Sequence, residues 1–394
     1  MLIIMLSVSG IYLVIMTFMT IVHRPGHQNR AWKTAQKKNI YYPPVSILKP
    51  IRGIDDDLEA NLESFYRLDY PRYEILFAVD DWQDKAVKII RKLSDRYPRI
   101  RTRILATGHN SMENPKIHKL DFMEKQSYGR LLWVTDANVR VETSTLKSLV
   151  YEYLGKEARL IFSPVMGTSS RTFASLMENN SLNFFTSGNV ITLWKLFSIP
   201  VVVGKSMLID RLALRTFGGF RYFKDYLAED YLIGKSFKES GFEVSTNCTW
   251  VTSINQYSSL KSFYRRMSRW AKLRFKLNRP AYLSEIMLNP LILSLLGLIL
   301  SEGKLWWLFL LATGGKIFLE YLNFMFVNIN DHVRPVNHLL FPLSVVIKDA
   351  VFFAVYLTPF FSSSVEWRGE RIRVGRNSLI RHPATCEKLA YEEA

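Results

Sequence analysis

The sequence predicts an α/β domain with a mixed, mainly parallel sheet, together with hydrophobic membrane helices at its N- and C-terminal sides. Between about residues 40 and 280, short β-rich runs alternate with helical stretches, which is the pattern of α/β domains. Hydrophobic residues make up 48% of the chain, and the mean hydropathy of +0.01 exceeds that of most soluble domains. We therefore expect a soluble domain joined to a membrane part.

The net charge and the cysteine content exclude some kinds of site but do not identify the function. The net charge of +17 suits nucleic acid, anionic lipid headgroups or a diphosphate substrate, so its sign alone does not decide between them. The two cysteines, Cys248 and Cys386, are far apart and have no CxxC or histidine partner. This argues against a disulfide framework and a structural zinc site, and favours two free thiols in a reducing compartment.

Residues 1–22 contain no charge and are long enough to cross a bilayer, for which about 20 apolar residues suffice. The segment lacks a basic start and a small-residue cleavage site, so we interpret it as a transmembrane anchor rather than a signal peptide. Basic residues follow it: His23, Arg24, Arg30, Lys33, Lys37 and Lys38. The positive-inside rule then predicts that the domain at 40–280 is cytoplasmic, with the glycosylation sequons at Asn179 and Asn247 unused.

Hydrophobic segments return at 286–300, 305–327 and 338–362. The first two predict a hairpin around the turn 301–304. The third is interrupted by Pro342, Lys348 and Asp349, and a full crossing would send the basic tail, with Arg368, Arg371, Arg373 and Arg376, outside. We therefore predict a membrane region over 286–362 that ends in a re-entrant or interfacial segment, and a basic cytoplasmic tail over 363–394.

Within the α/β domain, we predict strands at 45–48, 74–79, 100–105, 131–135 and 160–165. Helices are expected at 55–68, where carboxylates would cap the first turn, and at 84–97. The apolar run 190–203 is too short to span a bilayer, so it is either core or an interfacial entrance for an acceptor, and we favour the entrance.

Two of the predicted strands end in aspartate. The strand at 74–79 continues into Asp80 and Asp81, and the strand at 131–135 continues into Asp136 and Asn138. One such residue is usually a turn former, but ligands gather at the carboxyl ends of parallel strands, so two are better evidence of a site. Carboxylates there can bind a ribose or a hard divalent cation that neutralises a nucleotide diphosphate.

The phosphates need partners other than a glycine-rich loop, because neither a G-x-G-x-x-G nor a Walker motif follows these strands. The candidates are Lys49 and Arg52 after the first strand, and Lys116 in the Asn-Pro-Lys sequence at 114–116.

Several stretches together resemble one enzyme family. They are VSILKPIRG (45–53), NLESFYRLDYP (61–71), NPK (114–116), WVTD (133–136), AEDY (228–231), RMSRWAKLR (266–274) and WRGERIRV (367–374). On these residues, most of the chain resembles the ceramide glucosyltransferases of glycosyltransferase family 21, relatives of family 2 with the GT-A fold. The family pattern of three aspartates followed by an Arg-x-x-Arg-Trp motif is matched in order.

The resemblance implies a role for each matched residue. These roles are nucleoside binding for Asp81, a place near the ribose, diphosphate or metal for Asp136, the general base for Asp230, and contact with the donor diphosphate and acceptor for Arg266, Arg269 and Trp270. Sugar transfer independently requires a base for the acceptor proton and positive charge on the leaving diphosphate. On a helix, the spacing of 266, 269 and 270 puts these three on one face.

Three alternatives stay open at these positions. Glu229 is adjacent to Asp230 and is a second candidate for the base; the family pattern alone favours Asp230. The Arg-x-x-Arg-Trp motif also suits a basic interfacial helix. Asn138 stands where many GT-A enzymes have a second aspartate, so a bound Mg²⁺ or Mn²⁺ would depend on Asp136 alone.

The expected function is an inverting transfer of a hexose, with glucose the first choice, from a UDP-sugar to a membrane lipid hydroxyl, forming a β-glycolipid. Animal ceramide glucosyltransferases have a His-Pro where this chain has Gly188-Asn189, so ceramide and other lipids such as hopanoids both remain candidate acceptors.

A processive polysaccharide synthase, a competing function, would need more crossing helices. A basic scaffold would not need strand-end aspartates, and no nucleic-acid partner is expected because interleaved basic and aromatic motifs are missing.

Overall fold

The computed structural model describes residues 2–23, 41–110, 112–246, 249–328, 333–367 and 370–381. The chain divides into two compact units. The sheet unit comprises Val22–Thr168 and Leu193–Asn255, and the helical unit comprises Met1–Ile21, Ser169–Thr192 and Gln256–Ala394. The predicted catalytic domain at 40–280 overlaps the sheet unit, but residues 169–192 and 256–280 within it pack in the helical unit.

Thirteen strands are described. In chain order they are β1 (Val45–Pro50), β2 (Tyr73–Val79), β3 (Arg101–Ala106), β4 (Leu131–Thr135), β5 (Val139–Arg140), β6 (Leu160–Phe162), β7 (Val165–Thr168), β8 (Ser206–Asp210), β9 (Val244–Thr246), β10 (Val251–Ile254), β11 (Ser364–Trp367), β12 (Glu370–Val374) and β13 (Ile380–Arg381).

The described α-helices are α1 (Leu2–Val22), α2 (Leu58–Tyr66), α3 (Ala86–Arg96), α4 (Pro115–Gln126), α5 (Thr145–Lys156), α6 (Phe173–Asn180), α7 (Gly188–Phe197), α8 (Arg211–Arg215), α9 (Glu229–Glu239), α10 (Leu260–Leu277), α11 (Arg279–Ser284), α12 (Pro290–Leu300), α13 (Trp306–Val327) and α14 (Pro335–Phe361). A π-helix, Ser181–Ser187, joins α6 to α7, and short 3₁₀ turns cover Phe220–Phe223, Glu285–Leu288 and Arg376–Ser378.

The sheet unit is built on seven strands in the order β3-β2-β1-β4-β8-β6-β9. Strands β1 to β4 pair in parallel, and β8 is antiparallel to both of its neighbours. This confirms the predicted mixed, mainly parallel sheet. Strands β1, β2 and β4 are buried along almost their whole length, as expected of parallel strands covered on both faces. Trp133 on β4 is fully buried and donates to the Ser206 hydroxyl on β8 at 3.1 Å.

Two sequence predictions in this unit are wrong in detail. The predicted strand 160–165 is two strands, since β6 joins the main sheet while β7 pairs with β10 in a second sheet of order β5-β10-β7. Pro164 lies between them, and proline cannot donate to a ladder. Asp57 does not cap α2: its φ is 54°, and its carboxylate pairs with Arg140 instead.

Among its described residues, the helical unit contains three helices that are long and apolar enough to cross a membrane, namely α1, α13 and α14. The pair formed by Arg279–Leu288 and Pro290–Leu300, bent by 67°, would make a fourth span if counted as one. The segment predicted as re-entrant or interfacial forms one continuous helix of 27 residues, α14, with Pro342 and Pro359 inside it. Its relation to a bilayer remains a prediction.

Charged residues in α13 and α14 are buried inside the helical unit rather than on its outer surface. Lys316 and Glu320 of α13 are 2.7 Å apart, and Lys348 of α14 lies 2.6 Å from Glu320 and 3.7 Å from Asp349. Asn180 at the end of α6 donates to Glu320 at 2.6 Å. Charges at membrane depth are expected to face protein in this way.

Some predictions concern residues outside the described part of the chain. They are those for Arg24, Arg30, Lys33, Lys37, Lys38, Asn247, Cys248, Arg368 and Cys386.

The backbones are in close contact where β1 and β4 begin, and this contact gives a prediction about stability. Gly129 precedes β4, and a Cβ there would meet the backbone nitrogen of Ser46 and lie 2.7 Å from the Leu131 carbonyl oxygen. Gly129→Ala should therefore lower the free energy of unfolding by about 1–3 kcal/mol, as overpacking does. Thermal unfolding of the detergent-solubilised protein, followed by tryptophan fluorescence, measures it.

The matched control is Gly155→Ala in α5, where the site is exposed and a Cβ meets nothing within 4 Å. This variant should melt at or slightly above the parent temperature, since alanine favours a helix by up to about 1 kcal/mol. Equal melting of the two variants would contradict the steric argument.

Candidate active site

The candidate site lies where β4, α4 and α9 meet in the sheet unit. Asp136 directly follows β4, at the centre of the main sheet. Asn114 caps α4 by accepting the N–H groups of Lys116 at 2.9 Å and Ile117 at 3.2 Å, and Pro115 occupies the first helical position. This is a standard helix start, and it fixes the backbone from which the Lys116 side chain extends.

The Lys116 ammonium group joins the parts of the site. Its Nζ lies 3.1 Å from Asp136 Oδ1 and 3.2 Å from Glu229 Oε1, and it donates to the Gly204 carbonyl oxygen at 3.2 Å. Burial alone would lower the pKa of Lys116, but the negative charges of Asp136, Glu229 and Asp230 together raise it. Lys116 is therefore a permanent cation inside a carboxylate cluster.

Gly204 orients the Asp230 carboxylate. Its N–H donates to Asp230 Oδ2 at 2.7 Å, while the Tyr231 N–H donates to Oδ1 at 2.8 Å. A Cβ at Gly204 would lie 2.8 Å from Lys116 Nζ and 3.0 Å from Asp230 Oδ2. Glycine lets the backbone approach both side chains without displacing them, a role that sequence reasoning missed; its one signal was an isolated glycine just before a strand.

The two adjacent carboxylates of α9 have different surroundings. Glu229 is buried, and its Oε2 accepts from the Asn114 side chain at 3.0 Å. Burial raises the pKa of Glu229, against the opposing effect of Lys116. Asp230 is only partly buried. The arrangement makes Glu229 a structural partner of Lys116 and leaves Asp230 the more accessible carboxylate.

Asp136 is the one sequence-predicted metal ligand, and its surroundings limit how a cation can bind. Lys205 Nζ lies 3.7 Å from Asp136 Oδ2 and donates to Asn138 Oδ1 at 2.9 Å, so the Asn138 oxygen already has a partner. Among the described residues, no group of three or more His, Cys, Asp or Glu side chains is placed to hold a metal. Asp136 is 32% exposed, however, and Mg²⁺ usually binds through one or two carboxylates plus substrate phosphates. The residues therefore fit a cation shared with a diphosphate, not an all-protein metal cage.

Two other candidates of the sheet unit, Asp81 and Arg52, have their described contacts with residues outside this cluster. Asp81 is exposed, and its described contacts, including the Gln83 N–H at 2.6 Å, are within its own turn. The neighbouring Asp80 pairs instead with Lys119 at 2.7 Å and Arg52 at 3.4 Å.

Lys49 is fully buried, and its ammonium group contacts protein groups. It donates to the Thr135 hydroxyl at 2.7 Å and to the Asp136 carbonyl oxygen at 3.0 Å, and it lies 3.5 Å from the Phe65 ring centroid. Burial lowers the pKa of Lys49. Its interpretation as a phosphate ligand is replaced by a structural one: it holds the end of β4, from which Asp136 extends.

The Arg-x-x-Arg-Trp motif lies on α10 of the helical unit. Arg266 forms an ion pair with Glu178 of α6. Trp270 packs against the hydrophobic cluster that includes Met177 and Phe263. The motif is helical, and residues at this spacing share one face of a helix.

Comparison with known proteins gives a family and several relatives. The family described as Glycosyl transferase family 21 matches residues 2–380. Ceramide glucosyltransferase 3 of Caenorhabditis elegans is 28% identical over 240 residues, which cover 60% of this chain and 52% of that protein. Ceramide glucosyltransferase of Komagataella phaffii is 26% identical over 305 residues, which cover 61% of this chain and 59% of that protein. The match thus spans a little over half the length of these relatives.

Among solved structures, a mannosyltransferase from Pyrobaculum calidifontis in complex with GDP-Man and Mn²⁺ is similar to this chain. The identity is 15%, the TM-score is 0.49, and the alignment covers 90% of this chain and 99% of that one. Glucosyl-3-phosphoglycerate synthase from Mycobacterium tuberculosis with Mn²⁺, UDP-Glc and phosphoglyceric acid has a TM-score of 0.37 at 14% identity, over 61% and 80% of the two chains. Scores below 0.5 carry no argument about function.

The family match extends over nearly the whole chain and includes the strand-end aspartates, the start of α9 and the motif on α10. The protein therefore belongs to glycosyltransferase family 21.

Proposed function

We propose that the protein is an inverting glycosyltransferase that transfers a hexose, with glucose the first choice, from a UDP-sugar to a membrane lipid hydroxyl such as that of ceramide. The observation that carries the proposal is the joint placement of Asp230, Gly204, Lys116 and Asp136, which combines an oriented, accessible carboxylate with a permanent cation. Family membership supports the same reaction class.

In this proposal, Asp230 is the general base. The acceptor hydroxyl loses its proton as its oxygen attacks the anomeric carbon, and a positioned carboxylate takes that proton. The Gly204 and Tyr231 N–H groups fix the orientation of the Asp230 carboxylate. Because a single displacement forms no covalent intermediate, an α-linked donor gives a β-linked product.

The positive charge at the site would stabilise the departing UDP. Lys116 is already charged and desolvated, so its attraction for a diphosphate needs little reorganisation. When bound, Mg²⁺ or Mn²⁺ would be held by Asp136 and would add positive charge on the diphosphate. We also assign nucleoside binding to Asp81, and contacts with the diphosphate and acceptor to Arg266, Arg269 and Trp270, on the family pattern.

The membrane helices support a lipid acceptor. Three described helices, or four with the bent pair, are long and apolar enough to span a bilayer. A catalytic domain anchored in this way works at the membrane surface, where lipid headgroups are concentrated. We propose a multi-pass membrane protein with a cytoplasmic catalytic domain, and hopanoids or other lipids as alternatives to ceramide.

The assignment of Asp230 as the base gives the first prediction about activity. Asp230→Asn keeps the size of the side chain but cannot accept a proton, so turnover should fall by roughly 10²–10⁴-fold while UDP affinity hardly changes. Glu229→Gln is the control, measured with the same donor and a crude lipid extract, with the product identified by mass and its anomeric configuration by NMR. An inactive Glu229→Gln beside an active Asp230→Asn would move the base to Glu229, and an α-linked product would reject the single displacement.

The second prediction concerns Gly204. In Gly204→Ala the new methyl group displaces Lys116, Asp230 or both, so kcat should fall by as much as about 10²-fold, the effect of an ångström-scale misplacement. The melting temperature should change little compared with the Gly129→Ala variant, since residue 204 adjoins the site rather than the sheet core. Unchanged kcat would show that the Gly204 contacts do not orient the base.

The third prediction concerns the metal. Calorimetric titration of UDP should show weaker binding when Mg²⁺ is replaced by chelator, and Asp136→Asn should remove most of that difference. Lys116→Met should weaken UDP binding with and without Mg²⁺. If chelation leaves UDP affinity unchanged in the parent protein, no cation is shared with the diphosphate at Asp136, and the lysines carry it alone.

A further inference from the structure

We infer that Glu178 is a positioning residue that orients Arg266 of the Arg-x-x-Arg-Trp motif for the donor diphosphate. The inference rests on the proposed function, because it assumes that Arg266 binds the donor. It adds to that function a carboxylate 88 residues earlier in the chain, which the motif itself does not include.

The Glu178 carboxylate is deeply buried. Its side chain is 5% exposed, and one oxygen, Oε1, forms an ion pair with Arg266 Nη1. The other oxygen, Oε2, is buried and has no hydrogen-bond partner among the described residues. A buried carboxylate without compensation is strongly unfavourable, so the pairing with Arg266 is the contact that makes it tolerable at this position.

The backbones on both sides of the pair are held by packing. Ala174 and Met177 on α6 belong to the same hydrophobic cluster as Phe263 and Met267 on α10. The Ser181 hydroxyl, one turn beyond Glu178, lies 3.8 Å from the Met267 sulfur. Glu178 is therefore an anchored group, whereas the longer Arg266 side chain, 37% exposed, reaches towards solvent.

Anchoring a guanidinium at one nitrogen sets the direction of all its donors. The group is planar and carries five N–H donors in a fixed fork, which matches phosphate in two-point contacts. An Arg266 held by Glu178 thus loses less conformational entropy when it binds a diphosphate. The preceding residue in the chain provides a contrast: Arg265 pairs with Glu366 at 2.9 Å, but both side chains are nearly half exposed, and such pairs contribute little.

The test is a double-mutant cycle on the full-length protein in detergent, with UDP as the probe. Glu178→Gln should weaken UDP binding by roughly tenfold and raise the donor KM more than it lowers kcat, since a charge-assisted contact to Arg266 is lost. Arg266→Gln should weaken UDP binding at least as much, and the double variant should bind no worse than Arg266→Gln alone. Glu366→Gln is the matched control and should bind UDP like the parent.

Each other outcome has a definite meaning. If Arg266→Gln leaves UDP affinity unchanged, the donor role of Arg266 in the proposed function is wrong, and this inference falls with it. If Arg266→Gln weakens binding but Glu178→Gln does not, or tightens it, the positioning role is overturned while the proposed function stands. Additive losses in the double variant would also overturn it.

A folding defect in Glu178→Gln would not remove the test. Glu178→Asp keeps the charge but shortens the side chain by one methylene, so it takes the place of Glu178→Gln in the same cycle. Its UDP affinity should be weaker than that of the parent, with no further loss when Arg266 is also replaced. Affinity equal to that of the parent would overturn the inference.

Discussion

The candidate site depends on one interaction, the insertion of the Lys116 ammonium group among carboxylates. Without it, Asp136, Glu229 and Asp230 would place three acidic groups near one another in a partly desolvated place, with two of them lacking the cation they now contact. Burial lowers the pKa of Lys116, but the charges of these carboxylates outweigh it and raise the pKa, so the lysine remains charged. The charge balance of the site is thus present before any ligand binds.

The fold brings these groups together through the main sheet. Strand β4 lies between β1 and β8, so Asp136 extends from the middle of the sheet and not from an edge. Lys49 on β1 fixes the end of β4 through its contacts with Thr135 and Asp136. The antiparallel strand β8 begins right after Gly204 and Lys205. Because its first residue pairs with the last residue of β4, Gly204 and Lys205 lie beside Asp136. The helices α4 and α9 then start beside it with Lys116 and Asp230.

Local patterns in the sequence predicted much of the main sheet. Hydrophobic runs predicted β2 and β4 within a residue of their observed bounds, because parallel strands that are buried on both faces are mostly apolar. The features that were missed depend on distant contacts. Asp57 adopts a positive φ and pairs with Arg140, 83 residues away, so a local capping rule failed there. The position of Lys49 just after a predicted strand makes it a candidate phosphate ligand, whereas its burial depends on the strands on both sides of β1, which no local pattern reveals. The contacts of Gly204 with Asp230 and of Glu178 with Arg266 also join residues that are far apart in the chain.

The buried charges of α13 and α14 have a consequence for the proposed insertion of these helices into a membrane. Lys316 and Glu320 are one turn apart on the same helix and pair at 2.7 Å, and Lys348 and Asp349 are adjacent on the next. Each helix thus contributes one positive and one negative side chain to the cluster. If α13 and α14 span the bilayer as proposed, helices inserted one at a time would only exchange ionic partners when they associate, as the pairing of Lys348 with Glu320 indicates, rather than bring an isolated charge across lipid. Insertion and final packing would then use the same four side chains.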